Sequence, residues 1–294
     1  MIRPLVAVTF LALTAACALS GPAGRTSLEQ RARQDLVAYD RAVAAAGQGP
    51  VLTPVGPLTQ TAGRWVPFEG DRKRAFVSNL FTADVQLGTA PSRTGEVRWA
   101  DRRSTVPLIS AAAAVERMRS PADGSCAGCA PLHLTHPRLG SMTIGTSRGP
   151  ARVPAWNFAI TGSAVRVTHP AIATTAMVSV TPDTEPAEGL AIDSGTLGAD
   201  GRTLTVSFTG ARGPASRPCG ADYTAQAVES ALAVVVIVDE HPAPGSGACP
   251  AVGATRTAAV TLTAPLADRA VLELPHGTPV TTNPAQHSPA PRFR

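Results

Sequence analysis

The chain has 294 residues, of which 44% are hydrophobic and only 16% are charged, and this balance excludes a largely disordered protein. Glycine and proline number 26 and 27 and aromatic residues make up 4%, so we expect cores of Val, Ala, Leu and Ile, a mixture that favours β-sheet. The formal net charge is +5, but no nucleic-acid-binding motif or aromatic platform accompanies the arginines, so nucleic acid is not an expected partner.

The first predicted element is an apolar run, Leu5–Ala16, which follows one cationic residue, Arg3, and ends at Cys17. A spanning helix needs about 20 apolar residues, so this run predicts a signal peptide over residues 1–16. The segment from Leu13 to Cys17 resembles the lipobox of bacterial lipoproteins. That resemblance implies a lipid-modified Cys17 on the extracellular face of the cell membrane, followed by a tether over residues 17–26. Cleavage after Ala18 would instead release a secreted protein.

A first helix is predicted from Ser27, because Ser27 to Gln30 has the sequence of a capping box, and Gly47 is placed to end this helix. Its apolar residues recur every three or four positions and form one face, which we expect to pack on the protein's own sheet. Short β-runs are predicted over residues 51–99, and a second helix is predicted from a cap at Ser110 to Arg119. Further strands are predicted over residues 139–145, 153–161, 164–168 and 176–180.

The segment 182–189 is acidic, rich in proline and without apolar periodicity, so it is predicted to link two domains. The second domain, residues 190–280, has turn signals at Asp200-Gly201 and His276-Gly277, and the tail 281–294 is predicted to be disordered. Strands are predicted there over residues 204–208, 223–229, 231–238, 257–262 and 270–274. The expected fold class is α+β and mainly β: a helix-bearing N-terminal β domain (27–181) followed by a small antiparallel all-β domain.

Setting Cys17 aside leaves four cysteines, an even number that is typical of an oxidising compartment. Four cysteines allow three pairings. The predicted strands 223–229 and 231–238 form an antiparallel hairpin, which brings Cys219 and Cys249 to the same end. We therefore predict a disulfide between these two residues, and Cys126 then pairs with Cys129 by elimination.

Three sequence patterns are typical of catalytic or metal-binding sites, but the sequence around each of them argues against that function. Cys126 and Cys129 have the C-x-x-C spacing of thiol oxidoreductases, yet the following sequence predicts a strand rather than the helix that activates a thiol. His133 and His136 could join these cysteines around zinc, but residues three apart on a strand point to opposite faces. Residues 145–149 fit G-x-S-x-G around Ser147, but no helix is predicted after them. We therefore predict no catalytic residue, no metal ligand and no cofactor.

Several motifs resemble those of uncharacterised secreted lipoproteins of high-GC Gram-positive (actinobacterial) bacteria. In the first domain they are Cys126–Leu132, Thr146–Ala151 and Val153–Phe158, and in the second they are Asp200–Val206, Cys249–Gly253 and Pro265–Arg269. The resemblance covers most of the mature chain. It implies the extracellular location and the disulfides, and it carries over no catalytic residue.

We therefore expect a lipid-anchored cell-envelope protein with a binding or structural role. Its expected partners are membrane lipid, through the N-terminal anchor, and anionic envelope polymers or another envelope protein, because many arginines cluster between Arg64 and Arg119. Asp268 and Arg269 are expected to form an ion pair that orients the last strand. Two alternatives remain: a cell-surface hydrolase with an unidentified site, and a thiol–disulfide exchange protein using Cys126 and Cys129.

Overall fold

The computed structural model describes residues 22–47, 52–84, 93–119, 126, 128–245 and 248–284. The predicted signal peptide, Cys17 and the tail beyond Pro284 lie outside these residues. The described helices are α1 (Pro22–Ala45), α2 (Gly70–Val77) and α3 (Ala111–Met118). The strands are β1 (Pro54–Val55), β2 (Gln60–Ala62), β3 (Phe81–Ala83), β4 (Thr94–Arg98), β5 (Arg103–Pro107), β6 (Leu132–Thr146), β7 (Ala151–Ile160), β8 (Arg166–Pro170), β9 (Ile192–Leu197), β10 (Thr203–Ala211), β11 (Ala221–Glu229), β12 (Ala233–Pro242), β13 (Gly253–Thr261), β14 (Ala270–Glu273), β15 (Pro279–Val280) and β16 (Thr282–Pro284). This content confirms the predicted fold class.

An eight-stranded sheet with α2 and α3 forms what we call the first unit. Its main strand order is β1-β6-β7-β4-β5. In addition, β3 pairs with β6, and β8 pairs with both β2 and β7. Because successive side chains of a strand point to opposite faces, the long strands β6 and β7 contribute side chains to two hydrophobic cores, one on each face of the sheet. Leu134 and Phe158 belong to the core that also contains residues of α2 and α3. Ile144 and Val153 belong to the core on the opposite side.

The helices of the first unit were only partly predicted. α3 has the expected cap, because the Ser110 side chain accepts a hydrogen bond from the Ala113 amide at 3.1 Å. α2 lies where short β-runs were predicted, so that prediction is wrong for residues 70–77. The strand predicted over 176–180 is also wrong. A 3-10 turn at Thr174–Ala176 and a single bridge between Leu52 and Met177 stand in its place.

The second unit is a sandwich of two four-stranded sheets, β13-β10-β9-β16 and β11-β12-β14-β15. Its central core contains buried side chains such as Phe208 on β10 and Val236 on β12. The predicted hairpin is confirmed, since β11 pairs antiparallel with β12 along its whole length. Two pairs are parallel, β12 with β14 and β9 with β16, so the prediction of a purely antiparallel domain is wrong there. The prediction of a disordered tail is wrong for Thr282–Pro284, which form β16.

α1 covers the outer face of this second unit. Its residues Ala32 and Leu36 are buried in one core with Val235, Ile237 and Leu272 of β12 and β14. The expected packing on the protein's own sheet is therefore confirmed, but the sheet belongs to the second unit, whereas the predicted boundaries grouped this helix with the first. The second unit is consequently discontinuous in sequence.

The predicted start of α1 is wrong, whereas its predicted end is confirmed. The helix begins at Pro22, so Ser27 lies inside it and the predicted cap is wrong. It ends as predicted, because Gly47 has a φ of 91° and its amide donates to the carbonyl of Ala44. The chain then enters the first unit at Leu52 and leaves at Val178, and these two residues are hydrogen-bonded to each other.

A buried carboxyl group lies where α1 meets the second unit. Asp35 Oδ1 accepts a hydrogen bond from Arg31 Nε at 2.9 Å, and Asp35 Oδ2 is buried without a hydrogen-bond partner. Burial, together with the charges of Asp183 and Glu273, raises the pKa of Asp35 to about 6, although Arg31 opposes the rise. The predicted linker 182–189 contains no helix or strand and runs beside this site, since the Asp183 amide donates to the carbonyl of His276.

Candidate functional site

The Gly-x-Ser-x-Gly segment is the turn of the hairpin between β6 and β7. The backbone groups of Thr146 and Gly149 exchange two hydrogen bonds of 3.1 Å, which leaves Ser147 and Arg148 as the turn residues. The chain then runs directly into β7. A nucleophile elbow requires a helix at this point, so the segment has the geometry of an ordinary hairpin, as the sequence predicts.

Main-chain hydrogen bonds tie this hairpin turn to the segment before β1 and to β16 of the second unit. The Ser147 amide donates to the carbonyl of Thr53 at 2.9 Å, and the Thr282 amide donates to the carbonyl of Ser147 at 3.0 Å. Gly149 has a φ of 91°, and a Cβ atom there would lie 2.8 Å from Asn283 Oδ1. The second glycine of the motif is thus required by backbone conformation and by close packing against β16.

A cleft of about 220 Å³ opens beside this turn, and we call it the junction cleft. It lies where α1, the segment before β1, the β4–β5 and β6–β7 turns and two loops of the second unit meet. Its lining residues are Tyr39, Val43, Leu52, Thr53, Trp99, Thr146, Ser147, Arg148, Val178, Leu232 and Asp268. A concave site between two units that combines apolar walls with a few polar groups is typical of ligand-binding sites.

Two guanidinium groups share one carboxylate at the edge of the junction cleft. Arg148 Nη2 lies 2.9 Å from Asp268 Oδ1 and 2.8 Å from the Asp268 carbonyl oxygen. Arg102 Nη1 lies 3.3 Å from the same Oδ1 atom. Burial lowers the pKa of Arg148, and the positive charge of Arg102 lowers it further, although Asp268 opposes both effects. Two guanidinium groups thus contact a single carboxylate group at this edge of the cleft.

Asp268 does not form the predicted ion pair with its neighbour Arg269. The Arg269 guanidinium instead pairs with Glu229 at 2.6 Å, and both of these side chains are largely buried. The prediction was wrong because these adjacent residues, which lie just before β14, face different parts of the molecule. Arg269 ties the strand to the β11–β12 turn, while Asp268 faces the first unit.

Hydroxyl and aromatic groups complete the junction cleft. Tyr39 Oη and Thr53 Oγ1 are hydrogen-bonded at 2.9 Å, and burial raises the pKa of Tyr39. Trp99 Nε1 donates to Thr146 Oγ1 at 3.1 Å, and the Arg102 guanidinium lies 5.5 Å from the centre of the Trp99 ring. These contacts hold two aromatic rings in fixed orientations along the cleft wall.

The arrangement is suited to holding an anion rather than to activating a nucleophile. Within the described residues, no hydrogen bond joins the Ser147 hydroxyl to a histidine or carboxylate that could serve as a general base. Arg148 offers a planar guanidinium, which recognises carboxylate and phosphate groups well. Sequence reasoning singled out Ser147 and missed its neighbour Arg148. The turn signal around it could have placed that arginine at an exposed hairpin tip.

The four cysteines described by the structure lie in the predicted pairs. Cys219 is bonded to Cys249 and Cys126 to Cys129, with Cα–Cα distances of 5.5 Å in both pairs. The first pair closes the open end of the β11–β12 hairpin. The second pair precedes β6, and neither pair lines the junction cleft.

The two histidines considered as metal ligands have separate environments. His133 Nε2 lies 3.3 Å from Asp84 Oδ1, whereas His136 Nδ1 contacts Thr135 Oγ1 at 3.0 Å. Among the described residues no group of three or more His, Cys, Asp or Glu side chains has the arrangement of a metal site.

Comparison with known proteins found no relative: no protein-family model, no curated protein and no solved structure matches this chain. In the part of the chain that the structure describes, no helix has the length and apolar content needed to cross a membrane.

Proposed function

We propose that this protein is a lipid-anchored protein of the cell envelope that binds an anionic envelope polymer in the junction cleft. The proposed anchor is Cys17, which follows a signal-like apolar run. The two bonded cysteine pairs support an oxidising location, because disulfides persist mainly outside the cytoplasm.

An anionic ligand is inferred from one observation: the partly buried guanidinium of Arg148 lies beside the guanidinium of Arg102. Two guanidinium groups paired with one carboxylate attract a further negative charge, and a phosphate or carboxylate group in the cleft would supply it. Arg148 Nη2 is bonded to Asp268, so the remaining N–H groups of this guanidinium are the ones that can donate to such a group. The hydroxyls of Tyr39 and Thr53 and the ring of Trp99 offer further contacts to a polyhydroxylated chain.

Calorimetric titration of the full chain tests this function. The probes are a glycerol-phosphate oligomer, a polyuronate oligomer and a neutral glucan oligomer of the same length. We expect at least one anionic oligomer to bind and the neutral one not to bind. Equal binding of the neutral and anionic oligomers, or no binding of any of them, would refute the proposed ligand class.

A pair of arginine variants locates the site. Arg148→Gln should weaken binding roughly ten- to a hundredfold, the effect of losing one hydrogen-bonded charged contact. Arg138→Gln is the matched control, because Arg138 is exposed on the same strand β6 but about 27 Å from its end at Thr146. If both variants weakened binding equally, the interaction would reflect net charge and not the junction cleft.

A further inference from the structure

β13 is a long edge strand, and among the described residues no strand pairs with it on the side away from β10. It pairs with β10 over its whole length, Gly253–Thr261, without a bulge. Just beyond it, the Leu262 amide donates to the carbonyl of Arg202 at 3.0 Å. Because hydrogen-bonded pairs alternate along an antiparallel ladder, the even-numbered residues of β13 bond to β10 and the odd-numbered ones direct their amide and carbonyl groups outward. These outward residues are all exposed: Gly253, Thr255, Thr257, Ala259 and Thr261.

β13 lacks the features that protect the other edges of the second unit. Short length, proline and charged side chains are the usual means by which edge strands avoid pairing with another chain. β15 and β16 have two and three residues and each contains a proline, while β11 carries Asp222 and Glu229. β13 contains no proline. Its single charged side chain, Arg256, lies on the same face as the buried Ala258, with its guanidinium 5.4 Å from the centre of the Tyr223 ring.

We propose that β13 is the interface of a symmetric dimer, in which its outer side pairs antiparallel with β13 of a second copy. A two-fold axis beside Thr257 places this residue opposite its own counterpart, Thr255 opposite Ala259, and Gly253 opposite Thr261. All outward amide and carbonyl groups then have partners, and one sheet continues through both copies. The interface does not involve the junction cleft and does not depend on its ligand.

The residues of β13 favour a second copy over a foreign segment. The outer face carries only small uncharged side chains, so it offers neither a charge nor a pocket that would select another sequence. In the self-pairing, Arg256 of each copy lies opposite Ala258 of the other, so no like charges meet. The chain's own residues after Pro284 fit less well. They follow β16 at the opposite edge of the sheet and include Pro289 and Pro291, which have no amide hydrogen to donate.

Two features next to β13 support an interface at this edge. Val252 directly precedes the strand and is 52% exposed. The proposed pairing brings Val252 close to the Thr261 end of the other strand, which removes part of this apolar side chain from water. The disulfide between Cys219 and Cys249 ties the segment before β13 to the start of β11, so the edge is presented in a fixed position.

Cysteine cross-linking of the full chain tests this interface. Thr257→Cys places a thiol beside the proposed axis, where directly opposite Cα atoms lie about 5.5 Å apart, a separation that a disulfide spans. Thr209→Cys is the matched control, because Thr209 is an exposed threonine on the same face but belongs to β10. Its counterpart in the dimer is at least three strand spacings, or about 14 Å, away. Association through the N-terminal apolar run would affect both variants equally.

On mild oxidation we expect Thr257→Cys to form covalent dimers and Thr209→Cys to form few. Equal cross-linking of the two variants would overturn the proposal, and so would a wild-type chain that sediments as a monomer.

A proline variant tests the role of the main chain. Thr257→Pro removes one outward amide from each copy and no hydrogen bond to β10, so the circular dichroism should stay unchanged. In sedimentation equilibrium the dissociation constant of the dimer should rise about tenfold. An unchanged dissociation constant would contradict pairing through β13.

Discussion

Replacing the buried Asp35 with asparagine should stabilise the protein at neutral pH and leave its stability near pH 4 almost unchanged. Asp35 lies where α1 docks on β14, and its Oδ2 atom is buried without a hydrogen-bond partner. The pKa of this carboxyl is raised from 3.8 to about 6, first by burial and then by the nearby carboxylates of Asp183 and Glu273. The folded protein therefore binds the Asp35 proton more tightly than the unfolded chain does.

The sign and size of the effect follow from this difference. Below pH 4 the carboxyl is protonated in both states and adds no penalty. Between pH 4 and pH 6 the unfolded chain ionises first, so the free energy of unfolding falls as pH rises, and the loss is complete above pH 6. A rise of about two pKa units corresponds to at most about 3 kcal/mol. This figure already includes the opposing effect of Arg31, and because the asparagine amide must itself be buried, we expect a gain of about 1 to 2 kcal/mol at pH 7.5.

Urea unfolding of the disulfide-bonded chain, followed by far-ultraviolet circular dichroism, measures this gain at pH 4 and pH 7.5. Asp71→Asn is the control, because Asp71 forms an exposed ion pair in α2 and should change neither value by more than about 0.5 kcal/mol. The reasoning would be refuted if Asp35→Asn destabilised the protein equally at both pH values. That outcome would mean that the Arg31 contact outweighs the cost of burying the carboxylate.

Three further outcomes are expected. Replacing Cys219 and Cys249 together by alanine should lower the free energy of unfolding by roughly 3 to 4 kcal/mol in urea titrations, because the bond closes a loop with a sequence separation of 30; no change would mean that the unfolded chain is already constrained there. Gly149→Ala should cost about 1 to 3 kcal/mol, since its φ is positive and its Cβ would press on β16, whereas Gly140→Ala, with open space around it, should cost less than 1 kcal/mol; equal costs would contradict the close packing. On the proposed anchoring, Cys17→Ala should abolish the mass of the lipid group and the cleavage before residue 17 in a Gram-positive host, and an unchanged mass together with an unchanged membrane fraction would contradict lipid modification.

The parts of the fold that depend on local pattern were predictable. The apolar face of α1 was visible as a spacing of three and four residues, and Ser110 was recognisable as the cap of α3. The disulfide between Cys219 and Cys249 followed from one hairpin, because a hairpin brings the ends of its two strands together whatever the rest of the chain does.

The elements that the sequence did not reveal depend on distant contacts. α2 has only eight residues and four of them are charged, so its short inward face gives no periodic signal, and docking beside Phe81 stabilises it. Nothing near Asp268 indicates that its partners are Arg102 and Arg148, since both lie in the other unit. The junction cleft is formed by segments from the whole length of the chain, so no single stretch of sequence could show it.

The discontinuity of the second unit has a consequence for the order of events during synthesis. α1 ends at Ala45 and its partner strand β12 begins at Ala233, so roughly 190 residues separate them. At roughly 5 to 20 residues per second, a ribosome needs about 10 to 40 seconds to make this stretch. Throughout that time the apolar face of α1 has no sheet to cover it and is open to a chaperone or to self-association. The first described helix to be synthesised is thus among the last elements to be buried.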